Sequence, residues 1–309
     1  MLAIYDCFCF FNEIDILEAR LKLLDQKVDY FVISEAAYTH SGRFKGFTLD
    51  SFRDRLLPWW DKIKYIKVYD KGSEVDTWIL ENQQRNRLLD EIRPENDDVI
   101  LISDIDEVPF PSRIPDKVEP GKVICLLQHM RYYFADCAIE NHLIWEGGTR
   151  ALSFLTVRDN LLSEKGVKYN AVSFKKELNS GVTLTKVRLY RHLHFIADGG
   201  FHLAWMGGVE AIVKKINATS HQEINTESLC EPSHITRSLS DGLDPITGKN
   251  IFLLKPFNVE GELLLKLLPP SFLSDDTMKQ PFSIATIRAS YYFELMIIYA
   301  RNFARKLFD

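Results

Sequence analysis

The sequence predicts an α/β protein whose mixed, mostly parallel sheet is flanked by helices. Strand-like apolar runs alternate with stretches of helical periodicity through the N-terminal half, which is the pattern of a parallel sheet with covering helices. Residues 99–102 are apolar, mostly β-branched and preceded by a polar turn, so they predict a strand buried on both faces. The chain has 309 residues and is 46% hydrophobic, which is enough for one large α/β domain.

The elements before the buried strand are spaced closely. Residues 2–11 form an apolar run that predicts a strand, and Asn12-Glu13 then precedes apolar residues at helical spacing. A loop with three positively ionisable or basic side chains is expected over residues 36–46. The remaining predicted elements of this half are strands over 28–34 and 62–69 and a long helix over 74–92.

The second half is less regular. Four prolines follow the buried strand and predict an irregular connection, and residues 160–181 predict a loop with a short hairpin. Further strands are predicted over 123–134, 151–157 and 187–193. We expect one catalytic domain over residues 1–270 and a C-terminal helical extension over 271–309.

Composition excludes several classes of protein. A formal charge of −5 gives no reason to expect a nucleic-acid partner. The five cysteines are odd in number and lack a paired Cys-x-x-Cys, so neither a zinc site nor a disulfide framework is indicated. No signal peptide opens the chain, and no apolar run is long enough to span a bilayer. The expected location is cytoplasmic.

Two aspartates follow the buried strand. Because side chains alternate along a strand, Asp104 and Asp106 are expected to point the same way, while Ile105 points into the packing. Ligands of open α/β sheets gather at this edge, and two carboxylates there suit Mg²⁺ or Mn²⁺ held partly by the phosphates of a substrate. The alternative is a polar turn whose aspartates cap the next element.

Residues 198–210 form a second informative segment. Two Gly-Gly pairs bracket His202 and Trp205, so backbone can approach a ligand closely while the indole offers a flat surface of the kind that sugar rings prefer. Glu210 falls at the start of the next predicted helix, where the helix dipole favours an ionised carboxylate. It is a candidate general base, or simply a helix-capping residue.

Six blocks of residues occur in order along the chain, namely Phe10-Phe11-Asn12-Glu13, Tyr30 to Glu35 with Thr39, Ser41-Gly42 and Lys45, Glu81 with Gln84-Arg85-Asn86, Ile102 to Pro109, Gly199 to His202 with Trp205, and Ser220 to Glu223. Taken together, these blocks resemble glycosyltransferase family 17, which includes the β-1,4-mannosyl-glycoprotein 4-β-N-acetylglucosaminyltransferases. The resemblance implies a GT-A-like fold, inverting transfer from a nucleotide-sugar, with UDP-N-acetylglucosamine as the expected donor, and a divalent metal. It covers roughly residues 1–270.

The resemblance also suggests roles for individual residues. Asp106 is the first choice for contact with Mn²⁺ or Mg²⁺, Asp104 for the donor or the metal, and His202, ahead of His221, for a third ligand. Glu210 is the expected base, with Glu223 as its competitor. Donor-binding residues are expected at Asn12, Glu13, Glu35 and Arg85, and acceptor-binding residues at Tyr133, Trp145 and Trp205.

The C-terminal tail departs from these blocks. Residues 282–308 mix many apolar side chains with basic ones and predict a helix that lies on an anionic membrane, enters a partner subunit or packs back onto the catalytic domain.

The acceptor is expected to be a glycan or a glycolipid.

Two other functions fit parts of the sequence. Asp104-Ile105-Asp106-Glu107-Val108 also matches the opening motif of haloacid-dehalogenase-type phosphatases, with Asp104 as the nucleophile. That motif belongs on a first strand, whereas several elements precede it here. The other alternative is a non-catalytic sugar-binding module.

Overall fold

The computed structural model describes residues 2–69, 77–164, 167–168, 193–218, 224–275 and 283–308. The strands are β1 (Ile4–Phe10), β2 (Tyr30–Ala36), β3 (Ile63–Val68), β4 (Val99–Asp104), β5 (Glu107–Pro109), β6 (Val123–Leu126), β7 (Gln128–Tyr132), β8 (Cys137–Ile139), β9 (Ile144–Trp145), β10 (Arg150–Ser153), β11 (Ser163–Glu164), β12 (Val167–Lys168), β13 (Leu193–Ile196), β14 (Gly200–Ala204) and β15 (Ile251–Leu253). The helices are α1 (Ile14–Leu24), α2 (Arg53–Leu56), α3 (Thr77–Asn86), α4 (Phe154–Leu162), α5 (Gly208–Ala218), α6 (Pro232–Ser240), α7 (Val259–Leu267) and α8 (Ile284–Phe308).

A seven-stranded sheet organises the fold, with strand order β13-β6-β10-β4-β1-β2-β3. Strands β4, β1, β2 and β3 run parallel to one another, whereas β10 runs antiparallel between β4 and β6. The α/β prediction with a mixed, mostly parallel sheet is therefore confirmed, and the arrangement is consistent with a GT-A-like fold. β1 and β4 lie side by side, so the two strand ends that precede the predicted site meet at one edge.

Alternating residues of β1 enter two separate apolar cores. Ile4, Phe8 and Phe10 pack on the face that is covered by α1 and α7, whereas Tyr5 and Cys7 pack on the opposite face. This alternation is what a strand buried on both sides requires. The opposite face also receives apolar side chains of α8, namely Ile287, Tyr291 and Ile298. The C-terminal helix is thus part of the main core, and the proposed domain boundary near residue 270 stays a prediction.

Several predicted boundaries need correction. Residues 154–157, predicted to continue a strand, begin helix α4 instead. Within the described part of the predicted helix 74–92, helical structure runs from Thr77 and ends as a 3₁₀ turn over Arg87–Leu89. The hairpin expected within 160–181 is present as β11 and β12, while the predicted strand 187–193 lies outside the described residues except for Leu193, which begins β13.

A smaller sheet, with strand order β5-β14-β7-β9, stands next to the carboxyl ends of β1 and β4. β14 pairs antiparallel with β5, which places His202 opposite Glu107, and it pairs parallel with β7. β9 lies at the far edge and carries Trp145. In the described part of the chain, no helix is both long and apolar enough to cross a bilayer.

Candidate active site

A cavity opens at the carboxyl ends of β1 and β4. Its walls come from the end of β1, from the loop after β2, from α3 and from α5. The remaining wall is the acidic turn after β4, formed by residues 104–106. This is the position at which open α/β sheets bind ligands. The polar or charged side chains at its surface include Glu13, His40, Lys45, Glu81, Gln84, Arg85, Asp104, Asp106 and Lys215.

Asp104 and Asp106 both line this cavity, but strand alternation is not the reason. β4 ends at Asp104, and a turn over residues 105–106 precedes β5, so the predicted alternation does not extend to Asp106. Ile105 is buried in the apolar core, as the sequence predicted. The turn itself therefore brings the two carboxylates to one cavity.

Arg20 of helix α1 fixes the shape of this turn from below. Its guanidinium is fully buried and donates to both carboxylate oxygens of Asp6, at 2.8 and 2.6 Å. One of its terminal nitrogens, Nη1, also donates to the backbone carbonyls of Asp104, Ile105 and Glu107, at 2.9, 3.0 and 3.0 Å. A planar guanidinium can satisfy several acceptors at once, so this one side chain holds three carbonyls of the turn together.

Sequence analysis missed this pair, although a signal was present. Asp6 interrupts an apolar strand, and Arg20 lies three residues from both Leu17 and Leu23 on a helix that buries most of its surface. Two opposite charges that both fall among buried positions are expected to pair, because an unpaired buried charge is costly.

Glu107 supports the same turn from the other side. Its carboxylate is fully buried, accepts a 2.9 Å hydrogen bond from the backbone N–H of Asp104 and accepts a second, at 2.7 Å, from the indole N–H of Trp145. Glu107 therefore connects the acidic turn to β9. Glu107 is not among the residues that line the cavity, so it supports the turn and is not a candidate ligand there.

Each aspartate of the turn is paired with a cation of this chain. Arg85 donates to Asp104 Oδ1 at 2.7 Å and to Glu81 Oε1 at 3.0 Å. Lys215, on helix α5, donates to Asp106 Oδ2 at 2.7 Å. The two ion pairs therefore place two carboxylates and two cations at the surface of one cavity.

The charge state of Asp106 follows from this pairing. Burial by itself raises the pKa of this carboxyl, but the positive charge of Lys215 and the nearby His202 imidazole outweigh it, so the pKa lies well below its ordinary value. Burial correspondingly lowers the pKa of Lys215, and the Asp106 carboxylate reverses this and raises it above the ordinary value. Both groups are therefore ionised at neutral pH, and Asp106 is available as an anionic ligand.

His202 lies behind Asp106. Its Nε2 atom is 3.6 Å from Asp106 Oδ1, and its Nδ1 atom is 3.2 Å from the sulfur of Met130. Its ring also contacts the indole of Trp145, with centroids 4.7 Å apart. His221, the competing candidate, lies outside the described residues.

The donor atoms fit a divalent cation in part. Mg²⁺ is usually held by only one or two carboxylates together with substrate phosphates, and Mn²⁺ also accepts imidazole. Asp104, Asp106 and His202 offer this set, and two ligands that share one ion at about 2.1 Å lie roughly 3 to 4 Å from each other, as Asp106 Oδ1 and His202 Nε2 do. Among the described residues no three His, Cys, Asp or Glu side chains form a ready-made cation site, so the phosphates would have to complete the coordination.

The residues expected to bind the donor are only partly brought together. Arg85 and Glu13 line the cavity with the two aspartates. The Glu13 carboxylate accepts hydrogen bonds from the backbone N–H groups of Phe11 and Asn12, at 3.2 and 3.0 Å, and so shapes the chain between β1 and α1. Asn12 is half-buried next to this segment but is not part of the cavity wall.

The structure places Glu35 apart from the other expected donor-binding residues. Its side chain is fully buried and does not line the cavity. It accepts hydrogen bonds from the Lys45 ammonium at 2.6 Å, from the Tyr65 hydroxyl at 2.6 Å, from the backbone N–H and hydroxyl of Thr48 at 2.7 and 2.8 Å, and from the Leu49 N–H at 3.1 Å. With its carboxylate used in this way, Glu35 anchors the loop after β2.

The two candidate bases are not placed at the cavity by the described residues. Glu210 lies in the first turn of α5, as predicted, but its side chain is exposed and does not line the cavity. Glu223 lies outside the described residues. From the same helix it is Lys215, a residue that sequence analysis did not single out, that reaches the acidic turn.

The three acceptor candidates occupy different environments. Tyr133 is only 3% exposed and its hydroxyl donates to Asp244, so the expectation that it lines an open cleft is wrong. Trp205 packs on the apolar core beside α5, with its ring 5.8 Å from the Lys215 ammonium. Trp145 alone lines an opening, a second cavity whose other polar side chains are Asn141, His142, Glu146, Glu294 and Arg301.

Comparison with known families agrees with this geometry. Residues 2–119 match the model of Glycosyltransferase family 17, a segment that includes Arg20, Arg85 and the acidic turn, whereas β14 and α5 lie beyond it. No curated protein matches the chain. The match favours glycosyl transfer over phosphatase chemistry at Asp104, because it spans the strands and the turn that form the cavity. The similarity to glycosyltransferase family 17 therefore extends over residues 2–119 of the 309-residue chain.

Proposed function

We propose that the chain transfers N-acetylglucosamine from UDP-N-acetylglucosamine to a hydroxyl of a glycan or glycolipid, with inversion at the anomeric carbon and with Mn²⁺ or Mg²⁺ as cofactor. The observation that carries the proposal is the pair Asp104 and Asp106 in one cavity at the carboxyl ends of β1 and β4. This is where a nucleotide diphosphate and its cation are expected in such a sheet.

Asp106, with Asp104 and His202, would hold the cation. A bound Mn²⁺ or Mg²⁺ supplies positive charge that stabilises the diphosphate leaving group. The residues of the chain do the rest of the positioning. Arg20 and Glu107 keep the turn in one shape, so the two carboxylates need not reorganise when the donor arrives.

Arg85 and Lys215 are proposed to bind the donor phosphates directly. Both lie at the cavity surface and are already held in place by the aspartates, at 2.7 Å each. A guanidinium suits two phosphate oxygens at once, whereas an ammonium acts as a point charge. Together they add two positive charges on the side of the cavity where the departing diphosphate gains negative charge.

The transfer step is proposed as a direct displacement. The oxygen of the acceptor hydroxyl attacks the anomeric carbon, the bond from this carbon to the phosphate oxygen breaks, and UDP leaves with the electron pair. Glu210 or Glu223 takes the hydroxyl proton. Trp145 and the second cavity are proposed to hold the acceptor, since an indole with several hydrogen-bonding side chains around it is well suited to a sugar.

Calorimetric titration of the full chain tests the donor and the cofactor together. UDP-N-acetylglucosamine, UDP-glucose and GDP-mannose are titrated with Mn²⁺ and with EDTA. We expect the first to bind best and only when Mn²⁺ is present, and Asp106→Asn to weaken binding by about 100-fold. Asp116→Asn is the matched control, because Asp116 is an exposed aspartate paired with Lys27 on the surface.

Two results would contradict parts of the proposal separately. Equal binding of UDP-N-acetylglucosamine in Mn²⁺ and in EDTA would contradict the proposed cofactor. Preferential binding of GDP-mannose would contradict the proposed donor. The stereochemistry is tested by proton NMR of the first product formed, in which a retained anomeric configuration would exclude inversion.

A further inference from the structure

Helix α8 exposes an apolar stripe although its other side is part of the core. Ile287, Tyr291 and Ile298 are buried against the main sheet. The stripe consists of six large side chains that are each at least 40% exposed, namely Tyr292, Phe293, Met296, Ile297, Tyr299 and Phe303.

These side chains form one continuous surface. Residues 292, 296, 299 and 303 follow the spacing of a single helix face, and 293 and 297 widen it on one side. Phe293, Met296 and Phe303 are 60%, 63% and 65% exposed, so little of the stripe touches the protein. Isolated exposed apolar residues are ordinary, but a contiguous patch of this kind marks a binding surface.

The stripe is held in a fixed place on the fold. The Tyr291 hydroxyl donates to Asp198 at 2.8 Å, and the Asn302 side-chain amide donates to the Leu193 carbonyl at 2.9 Å. The buried face of α8 is therefore fastened near both ends of the stripe. The exposed side chains belong to a docked helix and not to a loose tail.

The charge of the helix is opposite to that of the whole protein. The chain carries a formal charge of −5, yet α8 contains four basic residues and one acid. That acid, Glu294, faces inward, where it accepts hydrogen bonds from the backbone N–H groups of Leu143 and Ile144 at 3.0 and 3.2 Å. Arg288 and Arg305 are exposed at the two ends of the helix.

We propose that this face of α8 binds the surface of an anionic phospholipid bilayer. The six apolar side chains would enter the boundary between headgroups and acyl chains, and Arg288, one turn before Tyr292, would contact lipid phosphates. Arg305 follows Tyr291 and Ile298 at seven-residue spacing, so it would add positive charge near the surface without direct contact. An apolar stripe with basic residues and no outward-facing acid has the composition of helices that lie in the membrane interface. A second copy of the chain would find the same basic ends on its partner, so the charge pattern favours lipid over self-association.

Vesicle sedimentation with the full chain tests the proposal. The vesicles consist of phosphatidylcholine alone or of an equal mixture of phosphatidylcholine and phosphatidylglycerol. We expect binding to the mixed vesicles and at least roughly tenfold weaker binding to the neutral ones, because basic residues near an anionic surface add attraction. Added salt should weaken binding to the mixed vesicles.

Two double variants separate the apolar and the electrostatic contributions. Phe293→Ser with Phe303→Ser and Arg288→Gln with Arg305→Gln are each expected to reduce partitioning by about tenfold or more. Val259→Ser and Arg237→Gln are the matched controls, since both residues are exposed on other helices. Circular dichroism and a thermal melt check that each variant is folded.

Three results would overturn the proposal. Failure of the wild-type chain to bind mixed vesicles is the first, and equal binding by folded double variants is the second. The third is a dimer in sedimentation equilibrium that the Phe293 and Phe303 substitutions dissociate, without any vesicle binding, which would make the stripe a contact between copies. Nucleotide-sugar binding is expected to be unchanged in all of these variants, so the outcome is independent of the donor proposal.

Discussion

The guanidinium of Arg20 donates a 2.9 Å hydrogen bond to the backbone carbonyl of Asp104, the residue that ends β4 and begins the acidic turn. Arg20 stands on the first helix, 84 residues earlier in the chain. The shape of the proposed donor site therefore depends on a buried side chain that contacts neither the cavity nor any ligand proposed here.

Arg20→Lys should destabilise the protein although it keeps the charge. An ammonium cannot hold Asp6 with two parallel hydrogen bonds and reach three carbonyls as well, so we expect the free energy of unfolding to fall by about 3 kcal/mol. Urea denaturation measures this. Arg55→Lys is the control, because Arg55 pairs with Asp15 and Glu18 at the surface and should change stability by less than about 1 kcal/mol. Equal losses in the two variants would contradict the buried role of Arg20.

Lys215→Met should weaken UDP binding more than it disturbs the fold. The variant removes the ammonium that lies 2.7 Å from Asp106 and lines the cavity. A charge-assisted hydrogen bond to phosphate contributes about 1.5 to 3 kcal/mol, so a loss of roughly 10- to 100-fold in affinity is expected, and Lys215→Arg should recover part of it. Calorimetry with UDP and Mn²⁺ measures the effect against Lys249→Met, an exposed lysine elsewhere. Unchanged affinity would leave Lys215 as an ion-pair partner of Asp106 alone.

Glu35→Gln should lower stability without changing donor affinity. The carboxylate accepts from Lys45, Tyr65, Thr48 and Leu49, and an amide offers fewer acceptor sites and no charge. We expect the free energy of unfolding to fall by about 2 to 3 kcal/mol. The dissociation constant for UDP in the folded variant should equal that of the wild type. A larger dissociation constant for UDP, with the free energy of unfolding unchanged, would support Glu35 as a donor-binding residue.

The sequence was most informative where periodicity reflects burial on both sides of a sheet. The apolar runs over β1, β2 and β4 and the leucine spacing of α1 predicted the parallel core and the edge at which the cavity opens. The same local signals placed Asp104 and Asp106 at that edge. These features depend on neighbours in sequence, and a local pattern is sufficient to predict them.

The rest depended on contacts between distant segments. Glu35 and Asp104 both lie near the carboxyl end of a parallel strand, yet Glu35 is buried under the loop after β2 and Asp104 opens to the cavity. Lys215 looks like an ordinary helix lysine until α5 is placed against the acidic turn. Tyr133 was expected to line the acceptor cleft, although an aromatic in a strand-rich region is more often a core residue, and its burial follows from packing with residues of α5 and α6. No local pattern distinguishes these cases.

Stability should rise with pH in the window below about pH 6.5, the ordinary pKa of histidine, because of His129. Burial lowers the pKa of this histidine below its ordinary value, although its hydrogen bond to Asp198 opposes the shift. The unfolded chain therefore takes up a proton in this window while the folded chain does not, so acidification favours unfolding with a slope of up to about 1.4 kcal/mol per pH unit. Above the ordinary pKa the stabilisation is complete. Asp198 has a lowered pKa itself and titrates only in more acidic solution.

Urea denaturation at several pH values measures this slope in the wild type and in His129→Gln, where it should be smaller. Burial also lowers the pKa of His142, so His142→Gln measures the contribution of that histidine to the slope. An identical slope in His129→Gln and the wild type would contradict the assignment.

Trp145 connects the acidic turn to the second cavity and allows the acceptor proposal to be tested apart from the donor proposal. Its indole N–H donates to Glu107, which in turn holds the backbone N–H of Asp104, while the ring lines the second cavity. Trp145→Phe loses only the hydrogen bond, so UDP affinity should fall about fivefold with the Michaelis constant for an oligosaccharide acceptor unchanged. Trp145→Ala also loses the aromatic surface, so the Michaelis constant for the acceptor should rise about tenfold in addition.

The comparison of the two substitutions is what decides the location of the acceptor. If the second cavity holds the acceptor, only the alanine variant raises the acceptor constant, because only that variant removes the ring. If the acceptor binds elsewhere, both variants weaken UDP binding to the same extent and neither changes the acceptor constant. Trp205→Phe is the control for an indole outside both cavities, and it should change neither quantity.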